Sequence, residues 1–161
     1  MDIGATTALV ARVTLAAAFG FSAVAKLAHR AAFVRGLEQF GVPASGVIAW
    51  VLPPVEASLA LLLVTVRGEP WPAFLAIAVL ALFTGAVVAN LVGGHPAPCP
   101  CFGPPSAGAR PVSAATVARN GYLVALAVLG TGSTAGASGP ATVVGAVLLV
   151  AATLVGLRRF G

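Results

Sequence analysis

Charge is what this sequence has least of. Charged residues fill 8% of the 161 positions, where a soluble domain carries roughly 25%. A chain this small has too much surface to cover with so few charges. That scarcity argues against a soluble enzyme and against a disordered chain. Nine basic residues outnumber four acidic ones, but they are scattered and form no dense patch, so a nucleic-acid binder is excluded too. Only two cysteines are present, Cys99 and Cys101. They cannot brace a disulfide-rich scaffold, yet they suffice for one redox pair.

What fills the space is apolar: 59% of residues are hydrophobic and the mean hydropathy is +1.03. A membrane-spanning helix needs about 20 apolar residues. Five stretches qualify, at about 4–28, 47–66, 71–92, 112–129 and 141–157. The first contains Arg12 and Lys26. The second carries Glu56 and is interrupted by Pro53-Pro54, which must kink its helix or start it there. The third has no charge, the fourth contains Arg119, and the fifth stops at Arg158-Arg159. The expected fold is therefore all-α: one integral membrane helical bundle, a four-helix core plus one, with the lipid bilayer as its surroundings. Ala23-Val24-Ala25 resembles a signal-peptide cleavage site, but the first eleven residues hold no Lys or Arg, so a cleaved leader is not expected.

Two connections stand out. In 29–44, Phe33, Val34, Leu37 and Phe40 recur at helical spacing while Arg30, Arg35 and Glu38 fall elsewhere. That pattern predicts a short amphipathic helix lying at the interface. The loop 93–111 reads GGHPAPCPCFGPPSAGARP and holds six of the twelve prolines. It is a stiff, irregular segment, and Ser113 is placed to cap the helix after it. Trp50 and Trp71 sit near span ends, as in an aromatic belt.

Both cysteines lie in that loop, separated by Pro100. Residues two apart in an extended chain have Cα atoms roughly 6 to 7 Å apart, and disulfides need about 4.4 to 6.8 Å. Closure is feasible but cramped, and a strained disulfide is readily reduced. Two other readings of the pair stand beside this one. His95, Cys99 and Cys101 are a donor set for a soft metal, although no fourth ligand is evident and His29 is the only other histidine. Alternatively, the cysteines are small buried hydrophobes.

Charges inside spans are costly in lipid and usually face the bundle interior, where they pair. Arg119 lies six residues past Ser113, roughly 9 Å along its helix. Glu56 lies at a comparable depth, so a Glu56–Arg119 ion pair beneath the cysteine loop is expected. Lys26 ends the first span on the same face. Cations there would favour the cysteine thiolate, so Cys99, Cys101, Arg119, Glu56 and Lys26 form the candidate catalytic set.

Arg12, Phe19, Lys26, Leu27, Phe33 and Val42-Pro43 resemble the first segment of DoxX-like membrane proteins. Leu52-Pro53 with Glu56 and Leu61-Leu62-Leu63 resembles the second. Cys99-Pro100-Cys101-Phe102-Gly103, followed by Arg119-Asn120 and Leu123, resembles the C-x-C-F-G pattern of the MauE family. The resemblance covers most of 8–130. It implies a redox-associated membrane protein that exchanges disulfides with a thioredoxin-like partner or a secreted, maturing substrate protein. The layout also resembles, more distantly, vitamin K epoxide reductase and DsbB. Those proteins use a quinone, which the resemblance leaves open as a cofactor here. This chain, however, has C-x-C for their C-x-x-C and lacks their second cysteine pair.

Topology divides the signals. With five spans, Lys26, Arg30, Arg35, Arg110, Arg158 and Arg159 gather on the face of the cysteine loop. Positive-inside counting would put that face in the cytoplasm. Persistence of a disulfide asks for the extracytoplasmic face, and that is the orientation we expect.

Overall fold

A computed structural model describes residues 3–66, 68–93 and 114–134. All of its secondary structure among these is helical: α1 (Ile3–Ala28), α2 (Arg30–Gln39), α3 (Ser45–Thr65), α4 (Trp71–Val92) and α5 (Ala114–Leu129). Three of them, α1, α3 and α4, are long and apolar enough to cross a membrane, and α5 is a shorter apolar helix. The fifth apolar segment, 141–157, the cysteine loop and Ser113 lie outside the described residues.

The long helices close into a ring. α1 packs against α3 and α5, α5 against α4, and α4 only loosely against α3. The buried stripe of α1 is built largely from small residues: Ala5, Ala8, Ala11, Ala18, Ser22 and Ala25. Small side chains let helix backbones approach closely, which matters in lipid because apolar burial alone gives helices little reason to associate. Larger side chains fill the centre, among them Leu15, Phe19, Leu63, Leu80, Phe83, Val87 and Leu123.

The outside is apolar as well. Val24, Trp50, Leu61, Phe74, Leu82 and Val128 are exposed, while Arg12, Lys26 and Glu56 are buried. A surface of hydrocarbon around a charged interior is the arrangement of a protein solvated by lipid.

The amphipathic helix is α2. Phe33 and Leu37 pack onto Ala49, with Val34, Val42, Ile48 and Leu52 around them. Its end is a Schellman motif: Gly41 N–H bonds the Glu38 carbonyl at 2.9 Å and Val42 N–H the Leu37 carbonyl at 3.0 Å. Gly41 sits at φ 70°, where a Cβ is unfavourable. Of the two readings of Pro53-Pro54, a kink or a helix start, the start is not what forms: α3 begins at Ser45 and runs through both prolines. α4 starts cleanly because Pro70 and Pro72 flank Trp71, where missing N–H groups cost nothing.

Candidate functional site

Lys26 lies in the last turn of α1, and helical Cα–Cβ bonds tilt toward the N-terminus. Its side chain therefore reaches back into the bundle. There Nζ donates to both carboxylate oxygens of Glu56, at 2.6 and 2.8 Å, and to Ser22 Oγ at 2.5 Å. Ser22 also hydrogen-bonds Glu56. The ion pair is sealed, with side-chain exposures of 1% and 0%. Phe33 of α2 and Phe83 of α4 each place a ring centroid 5.5 Å from Nζ, so aromatic faces cover the ammonium from two helices.

This corrects the expected pairing. Glu56 joins Lys26 rather than Arg119. The reason is register: α1 and α3 run antiparallel, and the long lysine stem carries its charge down to the level of Glu56. Arg119 is nonetheless near enough for its charge to act on Lys26. Its neighbour Asn120 is fully buried and donates to Thr84 Oγ1 at 3.3 Å, while Thr84 donates to the Leu80 carbonyl at 2.7 Å. Asn120 Oδ1 has no hydrogen-bond partner among the described residues. Lys26, Glu56 and Arg119 are thus brought to one half of the bundle. Cys99, Cys101 and His95 lie outside the described residues. Among the described residues, no group of three or more His, Cys, Asp or Glu side chains could hold a metal.

Phe83 carried no sequence signal marking it as part of the cluster, since any apolar residue suits an uncharged span. Ser22 did carry one: it stands four residues before Lys26, one helical turn away on the same face.

At the other end of the bundle, Arg12 is also buried. Its Nε donates to the Gly130 carbonyl at 2.7 Å, Nη1 to Val66 at 2.8 Å and Nη2 to the Glu69 carbonyl at 2.6 Å. Val66 caps the C-terminus of α3 and Gly130 follows α5. Helix C-termini expose carbonyls at the negative end of the dipole, which a guanidinium fork satisfies. Arg12 is a clamp tying two connections together, the α3–α4 turn and the chain after α5.

The comparisons with known proteins agree with one another. The family model described as methylamine utilisation protein MauE matches residues 4–133. The chain is 38% identical over 122 residues to the methylamine utilization protein MauE of Paracoccus denitrificans, covering 73% of this chain and 64% of that protein. The match thus spans less than two thirds of the relative's length. No solved structure matches.

Proposed function

The chain belongs to the MauE family, and from that premise we propose that it is a membrane thiol–disulfide oxidoreductase working through Cys99-Pro100-Cys101. What supports this reading is the placement of the buried Lys26–Glu56 pair and Arg119 toward the end of the bundle where the chain leaves α4 and rejoins α5. Phe83, beside Lys26, is nine residues from the end of α4. Arg119 is five residues from the start of α5. The intervening loop holds both cysteines. A polar, charged cluster buried in lipid is costly and is usually retained for function.

The exchange conserves electrons. A thiolate from the dithiol of a thioredoxin-fold partner attacks one sulfur of the Cys99–Cys101 disulfide. That S–S bond breaks, the other cysteine leaves as thiolate, and a mixed disulfide forms. The partner's second thiolate attacks the mixed disulfide and releases the partner oxidised. Two electrons and two protons have then passed to Cys99 and Cys101. A second partner disulfide, taken through the reverse steps, restores the oxidised pair. Arg119 and the N-terminal dipole of α5 favour the thiolate form, while Glu56 holds Lys26 in place. We assign the loop to the extracytoplasmic face, where disulfides persist. The client is a disulfide-bearing exported protein of methylamine utilisation, the work for which the Paracoccus relative is named.

The test is a membrane-impermeant maleimide applied to intact cells, with and without mild reduction, followed by the mass of the purified protein. Labelling of both cysteines only after reduction is expected. No labelling until the cells are opened would overturn the orientation. Wild-type exchange with a thioredoxin-fold partner in Cys99→Ser or Cys101→Ser would overturn the chemistry.

A further inference from the structure

The outer surface carries a furrow between α3 and α4, the loosely packed seam of the ring. Pro54, Ser58 and Leu62 of α3 and Leu75 and Val79 of α4 bound it over the buried Leu59. Its volume is about 330 Å³. An apolar cavity of roughly 150 Å³ already admits a benzene molecule, so this furrow has room for aliphatic side chains.

The chain leaves the described residues beside the turn that joins α3 to α4, the two helices that bound this furrow. Thr134 is buried, and its hydroxyl accepts a hydrogen bond from Gly68 N–H at 3.2 Å, in the turn between α3 and α4. Arg12 fixes the same place by holding Val66 and Gly130 together. After Thr134 come six residues, 135–140, and then the uncharged apolar segment 141–157. Six residues span at most about 20 Å. Leu75 lies only about 6 Å along α4 from Trp71. The tether is therefore long enough to deliver 141–157 to the furrow.

The segment has a face suited to that seat. At 3.6 residues per turn, Ala141, Gly145, Ala152 and Gly156 fall within an arc of about 60°. Leu148 lies beside them, one bulky side chain on an otherwise small face. Opposite stand the small hydroxyl of Ser58 and the ring of Pro54, and small-on-small contact is how helices pack in lipid.

We propose that 141–157 docks as a helix in the α3–α4 furrow, alongside α4, as the fifth span of the bundle. Its closing Arg158-Arg159 then reaches the end of the bundle that carries Lys26. The proposal stands apart from the redox reading, because its test removes the native cysteines.

Paired cysteines are introduced into the full chain carrying Cys99→Ser and Cys101→Ser, and the membranes are treated with a mild oxidant. With Ala141 set level with Trp71, position 145 is level with Leu75, and Leu148 lies within about 1.5 Å of the level of Val79. The pairs Leu75→Cys with Gly145→Cys, and Val79→Cys with Leu148→Cys, are expected to form disulfides within one chain. Tyr122→Cys on the exposed side of α5, at a similar depth, is expected not to pair with Leu148→Cys. Disulfides between chains would give the furrow to a second copy and overturn the proposal. Equal crosslinking at Tyr122, or none at either furrow pair, would overturn it as well. The furrow would then be a lipid-filled seam.

Discussion

Arg12 and Lys26 are two buried cations on one helix, about 21 Å apart along α1. They are satisfied by different chemistry. Arg12 gives its three hydrogen bonds to backbone carbonyls of Val66, Glu69 and Gly130. Those acceptors belong to the fold and cannot take up a proton. Lys26 gives its bonds to a carboxylate and a hydroxyl. That carboxylate can take up a proton, and the hydroxyl can donate as well as accept. The fork of Arg12 fits fixed dipoles at two helix ends, whereas the point charge of Lys26 fits a partner that can change state. Burial of a charge in the bundle does not by itself mark a site; the kind of partner does.

The largest effect should come from breaking the Lys26–Glu56 pair on one side only. Glu56→Gln leaves a buried ammonium without its counter-charge, and removing one member of a buried pair costs about 3 to 5 kcal/mol. Thermal unfolding in detergent should show that loss. Lys26→Met combined with Glu56→Leu replaces the pair with apolar side chains of similar size and should recover most of it. If the double variant is stable but exchanges disulfides poorly, the pair serves chemistry. If it is stable and fully active, the contrast with Arg12 collapses and both cations are structural.

Next in size is Arg12→Lys. The charge stays, but one ammonium cannot reach three carbonyls arranged for a planar fork. Bonds to charged groups contribute about 1.5 to 3 kcal/mol each, and water or the lysine will replace some of them. A loss of about 2 to 3 kcal/mol is expected. The rate at which maleimide alkylates the reduced cysteines should not change. Arg119→Gln should show the converse: a slower alkylation rate by up to about tenfold, one pKa unit's worth of thiolate. An Arg12→Lys variant with slowed alkylation would show that the two ends are coupled.

Much of the helix pattern was legible in the sequence because lipid imposes a simple rule on length and polarity. α4 begins at Trp71 and ends at Val92, as the uncharged run suggested. α2 was legible from the spacing of Phe33 and Leu37. The partner of Glu56 was not, because depth counted along separate helices ignores side-chain reach. A lysine stem extends several ångströms and points back along its own helix, so Lys26 meets Glu56 from a position that looks too shallow. The role of Arg12 was hidden for another reason. Its acceptors are backbone carbonyls, and every residue has one, so no residue type in the sequence announces a carbonyl clamp. The prolines of α3 left two readings open, a kink or a start, and only the start is overturned. Each removes one donor, but the rest of the helix and the neighbours packed on it hold the backbone through them.

The smallest effect is the most local probe of the Arg12 end. A Cβ built on Gly130 would lie 3.3 Å from Arg12 Cγ and 3.3 Å from the Ala127 carbonyl oxygen. Gly130 is not at a positive φ, so alanine carries no backbone penalty there and only the contact counts. Arg12 Cγ has little freedom to yield, since three bonds fix the guanidinium beyond it. Gly130→Ala should therefore cost about 1 kcal/mol, at the low end of overpacking effects. Gly121→Ala, on α5 with nothing within 4 Å of the new methyl, should instead gain up to about 1 kcal/mol from helix propensity. Opposite signs for the same substitution, nine residues apart, would locate the rigid contact at Arg12. Equal signs would mean that the clamp gives way, and that the Arg12 end of the bundle is no stiffer than the rest.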